Sequence, residues 1–441
     1  MKPIFFLLAF LLSFSPYFDA AASEPLRAGA VSIDVTGDPG PELTGFLGRV
    51  QPSTHIRTRL FARAVYLENK PETLVWIVVD SLGLAPEINT RVKTTLAAEF
   101  GIEPWRIVLS ATHTHSAPAA ARLSSCGEYS EEYVESVLIP GLLKAGRDAK
   151  ATAEECTMVT ATGEIDLAID RRGQPVKHVE RRVPAVGFKR ADGPFKTVLL
   201  GYTMHPVCYA SGAIAAEWPG AAADAVQNVF SKETEAFVFQ GACGNNNPPK
   251  RDISDAEMQG WGKMIVDSVA EQLKSAEPQK PSFAVRTRQI AMLLDYPDEK
   301  GISAFAEANR RGLAGSPKGL QACDIWEQWA TQYRDNGGPD FIAVEIAAIV
   351  LGERVFVTGP FETLSWMNPE LMARTGQDCF AVGYTNGNYG YLAHDAAYDE
   401  GGYEVGAHLW YRNFRFKRGE LERLAESCVP LVQQVLRASS F

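Results

Sequence analysis

After its first two dozen residues the sequence has no apolar run able to cross a bilayer. The best candidate, Phe341–Thr358, is broken by Glu345, Gly352, Glu353 and Arg354. Positive charge is not in excess either. A net charge of -10 over 441 residues excludes the basic face that a phosphate backbone requires, so nucleic acid is not an expected partner. Cysteine is sparse, and Cys126, Cys156, Cys208, Cys243, Cys323, Cys379 and Cys428 are too widely spaced for a CxxC metal knuckle. In an oxidising compartment they are compatible with some disulfides, but their odd number leaves a thiol unpaired or paired between chains. There is no internal repeat, no low-complexity tract and no linker rich in Pro, Gly or Ser. The chain past residue 23 therefore reads as one domain, residues 24–441, with 46% hydrophobic residues to fill a large core.

The first residues are of a different kind. Lys2 precedes an apolar stretch, Ile4–Phe14, that is too short to span a membrane, and Ala20-Ala21-Ala22 offers small residues for cleavage. Residues 1–23 are predicted to be a secretory signal, and no cysteine follows to carry a lipid anchor. The mature protein is predicted to be exported, periplasmic or secreted, and soluble.

Downstream, β-branched and aromatic runs alternate with helical spacing. This is the pattern of an α/β fold with a mixed β-sheet core and flanking helices. Leu26–Val35 reads as a first strand, Leu60–Glu68 and Thr73–Asp80 as a hairpin, and Ile107–Leu109 as a buried strand. Phe195–Met204, Glu235–Gln240, Phe283–Leu294, two runs within Phe341–Thr358, and Cys379–Tyr384 read as further strands. Glu87–Phe100, Ala256–Lys274 and Arg418–Leu436 read as helices, as does Tyr129–Ala149, which Pro140-Gly141 should kink or split. Gly312–Asn336 mixes turn and helix signals without a readable order.

Asp80, His113, Arg171, His205, Glu362 and Tyr391 each lie where such a run ends. Ligands of α/β proteins gather outside strand ends, although polar strand ends also arise by coincidence. In WRIVLSATHTHSAP, His113 and His115 stand two residues apart, so on an extended segment both imidazoles face one way. His113, with His205 in TMHPV and Glu362 in GPFE, would satisfy the nitrogen and oxygen ligand set of a catalytic zinc, which takes about three protein ligands and keeps a position open.

Plainer readings stand beside this one. His205 suits a core histidine bonded to a carbonyl, Glu362 a helix cap before Thr363–Met367, and Tyr391 and Tyr403 core aromatics. Asp80 is a candidate for orienting a ligand from behind. The Cys243 thiol in GACGN fits a packed thiol, or a disulfide with Cys208, better than an activated nucleophile. His55, His178, His394 and His408 have no partner pattern and read as surface or packing residues.

The segments SATHTHSAP, TMHPV, GACGNNNP, GPFE and NGNYGYLAHDAAYDEGGYEV, with LFARAVYLE before them, resemble the neutral, non-lysosomal ceramidase family in order and context. The similarity runs over roughly residues 26–410. It implies a secreted amidohydrolase that cleaves the N-acyl amide of ceramide, or of a related lipid, through metal-activated water. It also implies Zn2+ on His113, His205 and Glu362, with Tyr391 on or near the metal. The same resemblance puts His115 and Tyr403 at the reacting carbonyl, and Arg171, with Arg172 adjacent to it, at the developing oxyanion.

A lipid substrate further implies transient contact with a membrane surface. One departure stands out: the family's nucleophilic serine falls at Asn247, whose amide can donate to an oxyanion but cannot accept an acyl group. The immunoglobulin-like domain that larger members carry at the C-terminus has no counterpart expected here. Two other readings remain: a hydrolase of a different amide or ester on the same zinc site, and an exported metal-binding protein without turnover.

Overall fold

The segment ETLVWIVV is apolar at consecutive positions because the strand it forms, Glu72–Val79, is covered on both faces. Leu74, Trp76 and Val78 point into a core shared by three sheets, and Val75, Ile77 and Val79 point into a layer of helices. The computed structural model describes residues 25–49, 51–124, 128–172, 177–279 and 282–439. The predicted signal over residues 1–23 and Cys126 lie outside them.

The first sheet holds β1 (Arg27–Asp34), β2 (Phe61–Asn69), β3 (Glu72–Val79) and β4 (Ile107–Ala111), in the order β4-β3-β2-β1, with the two residues Glu154–Glu155 paired at the edge beside β1. The second holds β5 (Thr157–Glu164), β6 (Arg182–Lys189), β7 (Phe195–Tyr202) and β8 (Glu235–Gln240), in the order β8-β7-β6-β5. The third holds β9 (Phe283–Leu293), β10 (Phe341–Leu351), β11 (Arg354–Thr358) and β12 (Cys379–Val382), in that order. Helices α1 (Pro86–Phe100) and α2 (Ile139–Ala151) cover the first sheet, and α3 (Glu217–Val229) and α4 (Asp255–Ser275) the second. Helices α5 (Glu299–Gly312), α6 (Pro317–Asp335), α7 (Met367–Thr375) and α8 (Glu420–Ser439) cover the third.

One build occurs three times. Three antiparallel strands are followed by a helix, a fourth strand parallel to the third, and a second helix. The expectation of no internal repeat holds for the residues and fails for the topology, because each unit fills the same positions with different side chains. The third unit alone inserts two helices, α5 and α6, after its first strand; these are the ordered form of the signals around Gly312–Asn336. Trp76, Phe237, Phe239 and Phe356 bring the three sheets together, with ring centroids 5.1–5.9 Å from Trp76.

The helix around Pro140 is interrupted: Glu131–Tyr133 is α-helical, Val134–Leu138 takes π-type bonding, and α-helical bonding resumes over Ile139–Ala151 with Pro140 in its first turn, where its missing amide hydrogen is not needed. Two further expectations need correction. Glu362 caps no helix; Glu362–Thr363 pairs in parallel with Tyr391–Leu392, and α7 starts at Met367. The six described cysteines are free and buried, so Cys208 and Cys243 form no disulfide.

Candidate metal centre

Each sheet has one parallel pair, β3–β4, β7–β8 and β11–β12, and their C-terminal ends meet. Bridges Ser110–Thr385 and Gly241–Val382 join the sheets there. The loops leaving these strands carry the site, so each topological unit supplies part of it.

After β4 the backbone turns left-handed at His113, with φ 65°, a conformation that is uncommon for a residue with a Cβ. His113 and His115 therefore converge through a turn and not through the alternation of an extended strand. The His113 Nδ1 donates to the Leu82 carbonyl at 2.6 Å, and the His205 Nδ1 donates to the Cys243 carbonyl at 2.9 Å. Both Nδ1 atoms carry the proton, so both Nε2 atoms present lone pairs, and they lie 3.1 Å apart. The Glu362 Oε2 lies 3.2 Å from one and 3.4 Å from the other, buried and without a hydrogen bond. The Tyr411 hydroxyl donates to Oε1 of the same carboxylate.

Acceptors facing one another with no proton between them repel, unless a cation sits among them. A tetrahedral ion with bonds of about 2.0–2.1 Å would hold its ligands about 3.3–3.4 Å apart, close to this spacing, and the imidazole and carboxylate donors suit zinc. The residues fit the metal.

The His115 Nε2 lies 3.2 Å from that of His113, which makes the three imidazoles one cluster. No hydrogen bond of ordinary geometry holds its Nδ1, which faces Gly45. A Cβ on Gly45 would overlap the ring, so only glycine lets that loop pass. Burial and the two neighbouring imidazoles keep His115 neutral, its pKa well below the ordinary value, and burial pushes His205 down to about 4.

On the open side, the Arg171 Nη2 donates to the Tyr391 hydroxyl at 3.1 Å and to the Gly244 carbonyl at 2.7 Å, and its Nε pairs with Glu404 at 2.6 Å. Arg172 turns away to Glu404, Glu400 and backbone carbonyls, so Arg171 is the arginine that reaches Tyr391. The Tyr403 ring, 51% exposed, stands edge-on to Tyr391 at 5.5 Å and 5.1 Å from the Arg171 guanidinium. Asn247 has a buried Oδ1 without a partner. With Arg171, Arg172, Arg251, Tyr403 and Glu404 it lines a cleft of about 350 Å³.

Asp80 orients no histidine. Its Oδ2 accepts from the Phe61 amide and from the Arg63 guanidinium, and the Leu82 carbonyl two residues on does the orienting. The Cys243 thiol touches the Tyr384 hydroxyl at 3.1 Å, and burial pushes its pKa up, away from thiolate. Sequence reasoning missed Tyr384, whose ring stacks on His113 at 3.9 Å, and Tyr411. The strand-end pattern contained Tyr384; nothing in the sequence pointed to Tyr411.

The fold and this site define a class, α/β proteins with an imidazole–carboxylate cluster at the strand ends. Residues 26–174 match the family described as neutral/alkaline non-lysosomal ceramidase, N-terminal. Neutral ceramidase B of Dictyostelium discoideum is 28% identical over 150 residues, 32% of this chain and 21% of the relative. Neutral ceramidase A of the same organism is 27% identical over 175 residues, 36% and 24% of the two chains. These matches span less than a quarter of the relatives' lengths. The crystal structure of neutral ceramidase from Pseudomonas aeruginosa superposes with a TM-score of 0.73 at 17% identity, covering 94% of this chain and 75% of that one. A ceramidase complexed with C2 gives a TM-score of 0.74 at 17% identity, with coverages of 94% and 76%. Residues 26–174 thus match the N-terminal model of the neutral/alkaline non-lysosomal ceramidases, and the chain shares the fold of the neutral ceramidase from Pseudomonas aeruginosa.

Proposed function

We propose that this protein is an exported, zinc-dependent hydrolase of acyl amide bonds, with the N-acyl linkage of ceramide or a related lipid as the substrate its relatives' names suggest. The observation that carries the reading is the convergence of His113 Nε2, His205 Nε2 and Glu362 Oε2 at 3.1–3.4 Å from one another, with each ring's Nδ1 donating to a backbone carbonyl. These three would hold the metal, with Tyr391 beside it. Bound there, zinc supplies a Lewis acid for the substrate carbonyl and a means of activating water near neutral pH.

The rest is the work of this chain's own groups. The Leu82 and Cys243 carbonyls keep a proton on each Nδ1 and so hold the rings in one tautomer. Tyr411 fixes the Glu362 carboxylate with Oε2 turned inward. Arg171 is clamped between Glu404 and Tyr391, which aims a permanent positive charge at the cleft. Arg171, Tyr403, the Asn247 Nδ2 and His115 are donors for the carbonyl oxygen as it gains charge; one such donor is worth about 10²–10³ in kcat. Asn247 cannot form an acyl intermediate, so water is the attacking group.

Ceramide lies in membranes, so this reading includes transient contact with a membrane surface. No helix among the described residues is long and apolar enough to cross one. A second reading, another amide or ester on the same site, is favoured by the arginines and glutamates that line the cleft. A metal-binding protein without turnover would have no use for oxyanion donors.

The test is release of fatty acid from a fluorescent short-chain ceramide by the purified protein, with and without a strong chelator. Chelator-sensitive release is expected. No release from folded, zinc-loaded protein would remove the ceramide reading. A His113→Ala protein with full metal and full activity would remove both.

A further inference from the structure

The cleft beside the metal centre is poorly suited to hydrocarbon. Its lining is Arg171, Arg172, Asn247, Arg251, two glutamates, two glycines and one tyrosine. The charges do not cancel. Arg171 and Arg172 share Glu404, and Arg172 also meets Glu400. Both carboxylates are thereby taken, and Arg251 has no ion-pair partner among the described residues. Its exposed guanidinium lies 5.9 Å from the Phe46 ring, and that ring stands 5.3 Å from His115. An unpaired cation thus sits across a single aromatic ring, Phe46, from the imidazole cluster, on a chain whose net charge is -10. Asn247, with its orphan Oδ1, lies on the same segment and faces the same cleft.

We infer that Arg251 recognises an anionic group on the substrate, so that this site is built for an acyl amide or ester whose leaving portion carries a carboxylate. The inference rests on the hydrolase reading and narrows it. Guanidinium pairs with carboxylate through charge-assisted hydrogen bonds, and the Phe46 ring restrains the arginine. A neutral ceramide offers Arg251 hydroxyl oxygens but no charge to pair with.

The test compares N-hexanoylglycine with N-hexanoylethanolamine, which share an acyl amide and differ in the charge at the far end. Binding to the zinc-loaded protein is measured by calorimetry, and hydrolysis by kcat/KM. The glycine compound should bind at least about tenfold more tightly, the order of one charge-assisted hydrogen bond. Arg251→Glu should bring the ratio to one or below. Lys250→Glu, the same charge change on a side chain paired outward with Glu257, should leave the ratio intact.

Equal binding of the two compounds, no binding of either, or a preference that survives Arg251→Glu would overturn the inference. The two readings fail separately. Anion preference without turnover would refute the hydrolase and keep Arg251, whereas turnover of both compounds without preference would do the reverse.

Discussion

Glu362 has one carboxylate oxygen tied to Tyr411 and the other facing two imidazoles. Outer partners of metal ligands typically carry about 10–100-fold of metal affinity. Tyr411→Phe should therefore weaken zinc binding about tenfold or more, read by competition with a chromogenic chelator, with circular dichroism unchanged.

Glu217 is a residue of another kind, buried behind the His115 loop. Burial lifts its carboxyl to about 8, despite the hydrogen bonds it accepts from the Cys208 amide and the Ser116 hydroxyl and the nearby charge of Arg49. The fold holds a proton that the unfolded chain, at 4.5, releases. Its contribution to stability is full below about pH 4.5 and is lost as pH rises towards about 8. The melting temperature should fall across that window, and less steeply in Glu217→Gln, which stays neutral. Scans at pH 5, 6, 7 and 8 would decide; parallel curves would refute the assignment.

At the scale of elements, strands buried on both faces announced themselves as unbroken apolar runs, and α1 and α4 as helical spacing. Helix α4 opens with a capping box in which the Ser254 hydroxyl accepts from the Glu257 amide. Ser254→Ala should cost about 1 kcal/mol in denaturant unfolding, read as a lower midpoint at unchanged slope.

Other elements were illegible for physical reasons. Helix α3 carries Pro219 and Gly220 in its first turn, residues that read as a loop in the sequence. Strand β6 begins inside a charged stretch, RRVPAVGFK, that masks its apolar centre. At the site, the two-histidine motif was legible, but the turn at His113 that aims it was not. Tyr411 was invisible because its pairing with Glu362 is purely tertiary.

Across the whole molecule, three copies of one topology close around a single aromatic core, and each delivers a parallel strand pair to the same end. Trp76 touches Phe237, Phe239 and Phe356, so it joins strands of all three sheets. Trp76→Ala should cost about 3–5 kcal/mol, seen as a lower melting temperature in one cooperative transition. Separate transitions would mean that the units are independent.

The metal centre depends on this closure, because His113, His205 and Glu362 come from the first, second and third units in turn. Metal content therefore tests the account most directly. After zinc loading and exhaustive dialysis, the wild-type protein should retain about one zinc per chain, and a folded Glu362→Gln protein far less. A wild-type protein that retains none, or a variant that retains as much, would contradict it.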